Sequence, residues 1–118
     1  MDLSKSNSNR IYFADKDYLR KTTEQIQRDF NMSGVNFEDP ISLPETYNEL
    51  FTLVLENIAV LVRTSDNQLK NLLYRIDISE LSIQKRVANS IDIEIENVIS
   101  SMLIERCLLK VLTREKFS

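Results

Sequence analysis

The sequence predicts an all-α protein that folds as a single-domain bundle of four to five helices. One glycine and two prolines occur among the 118 residues, and none of them lies in residues 45–118. β-Hairpins and sandwiches need turn residues at short intervals, so this part of the chain favours helices. Apolar residues recur there at spacings of three and four. Serine or aspartate stands near the start of each repeat, as helix caps require.

Composition excludes most of the chemistry that a sequence can reveal. There is no histidine and one cysteine, Cys107, so one subunit lacks the residues for a His- or Cys-based metal site, a catalytic triad or a disulfide. The single glycine, Gly34, excludes a phosphate-binding loop. We therefore expect no catalytic residue, no cofactor and no metal, and we interpret Cys107 as a small buried hydrophobe.

Charge and hydropathy argue against two classes of partner, nucleic acids and membranes. A net charge of −3 and a pI near 5.0 argue against nucleic acid, whose binding depends on excess lysine and arginine. The most apolar run, residues 50–62, contains polar residues and is shorter than the roughly 20 residues of a membrane span. Residues 1–14 contain no signal peptide and predict a disordered N-terminal lead before a helical domain over 15–118. These features favour a cytoplasmic protein without a membrane partner.

The first helix is predicted to begin near Asp15 and to end at Ser33-Gly34. Four of its residues form one stripe: Tyr18, Thr22, Ile26 and Phe30. Residues 35–41 have no helical period and contain a proline, so they predict a loop with Phe37 packed against the body of the protein.

A second helix is predicted over residues 42–64, because Ser42 and Glu45 have the spacing of a capping box and Pro44 suits a first turn. Its apolar repeat consists of Tyr47, Phe51, Val54, Ile58 and Leu61. Other apolar residues fill much of the remaining circumference. We therefore expect this helix to be buried on more than one side and to form the centre of the fold.

Two shorter helices are predicted to follow. Ser65 and Gln68 have capping-box spacing, and the third helix continues to a turn near Asp77. Asp77 and Ser79 are both candidate caps for a fourth segment, which is predicted to end near Asn89.

The last helix is predicted from Ser90 to about Arg114, with acidic residues in its first turns and basic residues near its end, as the helix dipole favours. Residues 91–96 alternate strictly, which alone is typical of a strand. A four-three repeat instead favours a helix. That repeat consists of Ile91, Ile95, Val98, Met102, Leu109 and Leu112.

Glu105 interrupts this apolar repeat, and a carboxylate at such a position is costly to bury without a partner. Either it lies at the rim in contact with water, or it pairs with an arginine such as Arg63, Arg75 or Arg86. A catalytic acid is the remaining alternative.

The most distinctive segment is 72–80, Leu-Leu-Tyr-Arg-Ile-Asp-Ile-Ser-Glu, at the junction of the third and fourth helices. Helix capping and a half-buried tyrosine account for its polar residues structurally. A tyrosine beside an arginine is also a combination of residue types that anchors interfaces. Five residues form our candidate partner-binding site: Tyr74, Arg75, Asp77, Glu80 and Glu105.

Residues 72–80 and the segment 105–117, Glu-Arg-Cys-Leu-Leu-Lys-Val-Leu-Thr-Arg-Glu-Lys-Phe, resemble parts of a group of small uncharacterised bacterial helical proteins. The resemblance implies a helical fold. It implies no catalytic residue and no activity.

The two longest helices contain more apolar surface than a small bundle hides, which predicts self-association, most simply as a homodimer. We therefore expect a non-catalytic protein–protein interaction module, a small adaptor or regulatory subunit with a protein partner. Residues 84–98 suggest an alternative, a helix-turn-helix DNA-binding regulator, although acidic residues occupy its recognition helix. An enzyme that uses carboxylates or tyrosine is the third alternative.

Overall fold

The computed structural model describes residues 11–37, 43–90 and 93–116. Within these ranges a helical turn at residues 11–13 is followed by five helices, and no strand is present. The helices are α1 (Lys16–Met32), α2 (Tyr47–Thr64), α3 (Asp66–Ile76), α4 (Glu80–Ala88) and α5 (Ile95–Lys116). They form one globule of 33 × 31 × 28 Å. The predicted all-α bundle is confirmed, with one short helical segment more than expected.

The centre of the fold is α5, which packs against all four other helices. It buries residues on several sides because its neighbours surround it. The buried set is Val98, Ile99, Ser100, Met102, Leu103, Ile104, Cys107, Leu108 and Val111. The helix predicted over 42–64 is therefore not central, and that prediction is wrong. As α2 it buries one stripe and leaves Val60 and Val62 exposed.

Two helices begin later than the sequence predicts. Helix α2 is capped by Thr46, whose hydroxyl oxygen accepts a hydrogen bond from the Glu49 amide at 3.1 Å, so a second capping box replaces the one predicted at Ser42. Ser42 itself lies outside the described residues. Helix α5 begins at Ile95. Ser90 does not cap it, because its hydroxyl donates to the Arg86 carbonyl at 2.8 Å.

The four-three repeat identifies the buried face of α5 only in part. Val98 and Met102 are buried, whereas Ile95 and Leu109 are about half exposed, at 46% and 50%. A helix that is enclosed on several sides has apolar residues around most of its circumference, so a single stripe does not define its orientation.

The remaining boundaries agree with the predictions. Asp15 caps α1, Gly34 has a φ of +77° just after its end, and Ser65 and Ser79 cap α3 and α4. Helix α4 ends at Ala88 with Asn89 as its C-cap, close to the expected end near Asn89.

The N-terminal lead was predicted to extend over residues 1–14, and residues 1–10 of it lie outside the described ranges. Phe13 belongs to the helical turn at residues 11–13 and is buried, with its ring 5.4 Å from that of Tyr47. The packed domain therefore begins before residue 15. Among the described helices, none has the length and apolar character to cross a membrane.

Candidate interaction surface

A tight turn between α3 and α4 places the predicted site residues on the outside of the bundle. The Ile78 amide donates to the Leu73 carbonyl at 2.9 Å, and the Asp77 amide donates to the Tyr74 carbonyl at 3.1 Å. Asp77 adopts a φ of +68°, the only positive value among the described residues that are not glycine. Ile78 is buried and holds the turn against the core. This pattern is a Schellman-type helix end, in which glycine is the usual residue at the left-handed position.

Tyr74 is the most exposed large hydrophobic residue in the described ranges, with 89% of its surface accessible. It lies in the last turn of α3, one residue before Arg75. The sequence indicates either a half-buried tyrosine or part of a partner surface at this position, and the structure excludes the half-buried arrangement. At this exposure the ring contributes almost nothing to the core and is available at the surface.

Arg75 is held by a buried carboxylate that the sequence analysis did not identify. Asp29 on α1 is 1% exposed, and its Oδ1 lies 3.3 Å from Arg75 Nε. Lys110 Nζ on α5 lies 2.9 Å from Oδ2 of the same carboxylate. Gln25 and Cys107 also donate to Oδ2, at 3.2 and 3.6 Å. Asp29 therefore ties α1, α3 and α5 together.

One signal in the sequence points to Asp29. It follows Ile26 by three residues and precedes Phe30 directly, so it lies on the apolar side of α1. The same reasoning that singled out Glu105 applies to it, because a buried carboxylate needs cationic or hydrogen-bonding partners.

The end of α1 completes this surface. Met32 is 62% exposed, and its sulfur lies 2.9 Å from Nη2 of Arg75. We call the three residues Met32, Tyr74 and Arg75 the junction surface. It presents an aromatic ring, a thioether and a guanidinium group whose position is fixed by Asp29.

A groove of about 310 Å³ lies beside the junction surface, between α4 and α5. Its lining consists of Asp77, Ile78, Ser79, Ser82, Arg86, Met102, Glu105 and Arg106. Arg86 Nη2 lies 3.2 Å from Glu105 Oε2, and Arg106 Nη2 lies 2.9 Å from Asp77 Oδ2. We call this feature the α4–α5 groove.

The groove explains Glu105. Of the three arginines that the sequence offered as partners, Arg86 forms the pair, and the Glu105 side chain remains 19% exposed at the groove wall. Both sequence interpretations, the rim position and the ion pair within the bundle, are therefore met by the same arrangement. Asp77 and Glu105, which are far apart in the sequence, line one groove.

Glu80 lies apart from the groove lining. It is exposed in the first turn of α4. The pKa of Lys70 on α3 is raised first by a hydrogen bond with Asp66 and also by the charges of Asp66 and Glu80. Glu80 thus contributes negative charge close to Lys70 of α3.

The single thiol of the chain is deeply buried. Burial raises the pKa of the Cys107 thiol, with a smaller contribution from the Asp29 charge, so the thiol stays protonated and unreactive. No cluster of three potential metal ligands occurs among the described residues. The arrangement can present charge and apolar surface, and it can exchange ion pairs.

Comparisons of the chain with protein-family models, with curated proteins and with solved structures find no significant match. The resemblance of residues 72–80 and 105–117 to small bacterial helical proteins therefore adds no function to these observations.

Proposed function

We propose that this protein is a non-catalytic interaction module, a small adaptor or regulatory subunit, that binds a protein partner through the junction surface. The observation that supports this most strongly is the 89% exposure of Tyr74 beside an arginine fixed by a buried carboxylate. Tyrosine and arginine are the residue types that contribute most to binding energy at interfaces. The proposal places the protein in the cytoplasm, where a single buried thiol stays reduced.

The anchoring of Arg75 supports this proposal energetically. A free arginine side chain loses rotamer freedom when a partner immobilises it, at a cost of roughly 0.5–1.5 kcal/mol. Asp29 already restricts the guanidinium through Nε, and Met32 contacts it through Nη2. A partner that uses the remaining N–H donors therefore pays less for ordering this side chain.

We extend the proposal to self-association as a homodimer. Exposed apolar side chains occur on both of the longest helices, including Val60 and Val62 on α2 and Leu109 on α5. A two-fold interface uses the same surface of each copy, so one such face is sufficient. Light scattering on a size-exclusion column tests this part. A concentration-independent mass of one chain, 13.8 kDa, contradicts it.

The helix packing and the ion pairs of the groove argue against the alternative function, a helix-turn-helix regulator. Within the 84–98 unit, the would-be recognition helix with Glu94, Glu96 and Asn97 coincides with the start of α5, the most enclosed helix of the bundle. Arg86 and Arg106, which would have to contact phosphates, pair with carboxylates instead. We therefore do not propose DNA binding.

Site-specific photo-crosslinking tests the junction surface directly. A benzoylphenylalanine replaces Tyr74 in one variant and Tyr12, a second exposed tyrosine, in a matched control, and each is irradiated in the native cell. We expect a distinct protein adduct from position 74 and none of the same mass from position 12. An adduct pattern that is identical at both positions, or no adduct at position 74, overturns the assignment of the surface.

A further inference from the structure

We propose that the α4–α5 groove binds a carboxylate side chain from an acidic segment of the partner protein, with Arg106 and Arg86 as the binding residues and Asp77 as an exchangeable internal occupant. This inference rests on the proposed function, because it names the chemistry of the partner. It differs from the proposed junction surface in that the groove is a separate site with its own residues.

The two arginines have donor capacity to spare. A guanidinium group provides five N–H donors in a planar fork that matches a carboxylate in a bidentate pair. Within the described residues, Arg86 and Arg106 each donate one side-chain hydrogen bond, through Nη2, at 3.2 and 2.9 Å. Both side chains line the groove, and no other contact among the described residues occupies their remaining donors.

The Asp77–Arg106 pair is the weaker of the two and the easier to exchange. The Asp77 side chain is 87% exposed and that of Arg106 is 39% exposed, so water screens their attraction. Solvent-exposed ion pairs contribute only about 0–1 kcal/mol. A carboxylate from a partner replaces Asp77 on Arg106 at little cost, because Asp77 already has access to water.

The Arg86–Glu105 pair is more enclosed and stays in place. The Arg86 and Glu105 side chains are 23% and 19% exposed, whereas those of Arg106 and Asp77 are 39% and 87% exposed. In this arrangement Arg86 keeps Glu105 neutralised, and its other N–H donors remain available to a ligand in the groove. An incoming carboxylate therefore takes the place of Asp77 on Arg106 and accepts a further hydrogen bond from Arg86, which stays paired with Glu105.

The backbone of Asp77 adds an independent argument. A left-handed conformation costs a non-glycine residue free energy, and glycine is the usual residue at such a helix end. An aspartate nevertheless occupies this position, and its carboxylate pairs with Arg106 of the groove. Residues in sparsely populated backbone regions are concentrated at functional sites. The carboxylate of Asp77, which pairs with Arg106 in the absence of a partner, is consistent with such a functional site.

The rest of the lining favours a carboxylate on a side chain over a bare anion. Ile78 and Met102 supply an apolar floor that suits the methylene groups of glutamate. Ser79 caps the start of α4, where the positive end of the helix dipole adds to the attraction. A volume of about 310 Å³ exceeds what a single small anion fills and suits a side chain with its flanking backbone.

The test uses the full chain, labelled with ¹⁵N, and a peptide of four glutamates blocked at both ends. The Nε–H signals of the arginine side chains report binding by NMR. We expect the signals of Arg106 and Arg86 to shift on titration while that of Arg63, an exposed arginine on α2, stays in place. Arg106→Gln weakens binding about tenfold, the equivalent of one charge-assisted contact, and the control Arg63→Gln leaves it unchanged.

The internal occupant gives a second, opposite readout. Asp77→Asn removes the competing charge and keeps a residue type that tolerates the left-handed conformation, so affinity rises by up to about fivefold. Glu56→Gln is the matched control, because it removes one exposed carboxylate from α2 and changes the net charge equally. A gain from Asp77→Asn alone supports the exchange. Equal gains from both variants overturn it, since they reflect net charge.

Further outcomes separate this inference from the proposed function. If the peptide shifts all exposed arginines equally, or if inorganic phosphate binds the groove more tightly than the peptide, the assignment to a partner carboxylate is wrong. If the peptide does not bind but position 74 still crosslinks a partner, the groove proposal fails and the junction surface stands. The ¹⁵N–¹H spectrum of each variant shows that it is folded.

Discussion

The buried carboxylate of Asp29 gives the sharpest test of how this bundle is held together. Replacing Asp29 by asparagine keeps the size and one carbonyl acceptor of the side chain but removes its charge. Two cations then lose their partner, Arg75 at 3.3 Å and Lys110 at 2.9 Å. The variant isolates electrostatics from packing, since no cavity is formed.

The expected cost follows from the exposure of the three groups. Asp29 is 1% exposed, whereas Arg75 and Lys110 are each 35% exposed and can turn toward water once the charge is gone. Hydrogen bonds to charged groups contribute about 1.5–3 kcal/mol each, and the relaxation of the cations offsets part of this, so the loss for Asp29→Asn is about 2–3 kcal/mol. With a urea slope of about 1–3 kcal/mol per M, the midpoint falls by about 0.7–3 M.

Urea unfolding followed by circular dichroism measures this loss. The control is Asp17→Asn, which removes a carboxylate of similar pairing on the same helix but at the surface, where Asp17 contacts Arg20 and Lys21. We expect the control to unfold at the midpoint of the parent protein, because water replaces its lost contacts. If Asp29→Asn also unfolds at the parental midpoint, the buried network does not stabilise the fold and our reasoning is refuted.

The remaining predictions concern the packing of α5, the α3–α4 turn and the single thiol. Leu108→Asp abolishes cooperative unfolding, because it buries an unpaired charge, whereas the exposed control Leu109→Asp stays folded. Equal melting temperatures of the two variants contradict the orientation of α5 described above. Asp77→Gly raises the free energy of unfolding by about 0.5–1 kcal/mol, because glycine adopts the left-handed conformation without strain. If the variant is instead less stable, the Asp77 carboxylate stabilises the fold by more than the backbone strain destabilises it. The buried Cys107, whose pKa is raised by desolvation, reacts with Ellman's reagent only in urea, and stoichiometric reaction in native buffer places it at the surface instead.

Local sequence signals predicted most of the fold. The caps at Asp15, Ser65 and Ser79 and the end at Ser33-Gly34 lie where the residues indicate, because capping depends on a few neighbouring backbone groups. Where two capping boxes lie close together, the sequence does not decide which of them begins the helix. Thr46 and Glu49 cap α2 in the same way as Ser42 and Glu45 were expected to, only closer to the apolar repeat.

The position of each helix in the bundle depended on tertiary packing and was not predicted. Periodicity singled out α2 as central because its sequence is the most apolar, but α5 takes that place, since other helices cover it on several sides. The number of neighbours is a property of the assembled bundle. A hydrophobic repeat records how apolar a helix is and leaves open how many sides it buries.

The predicted site residues converge only in part. The α3–α4 turn brings Tyr74 and Asp77 to adjacent surfaces, and the fold adds Glu105 to the groove. Asp29 was missed because its partners come from α3 and α5, and no spacing within α1 reveals them. Replacement of Arg75 therefore affects stability as well as the surface, because its removal leaves a buried carboxylate with one partner fewer.

Arg75 therefore links the stability of the bundle to the surface that we propose for binding. Its Nε contacts the buried Asp29, and its outer nitrogens face Met32 and the solvent beside Tyr74. Arg75→Ala should both destabilise the fold and weaken a partner, whereas Tyr74→Ala should weaken the partner alone, since Tyr74 is almost fully exposed. Separate measurement of unfolding and crosslinking in the two single variants distinguishes a binding residue from a packing residue. A tyrosine variant that melts far below the parent would assign both residues to the fold.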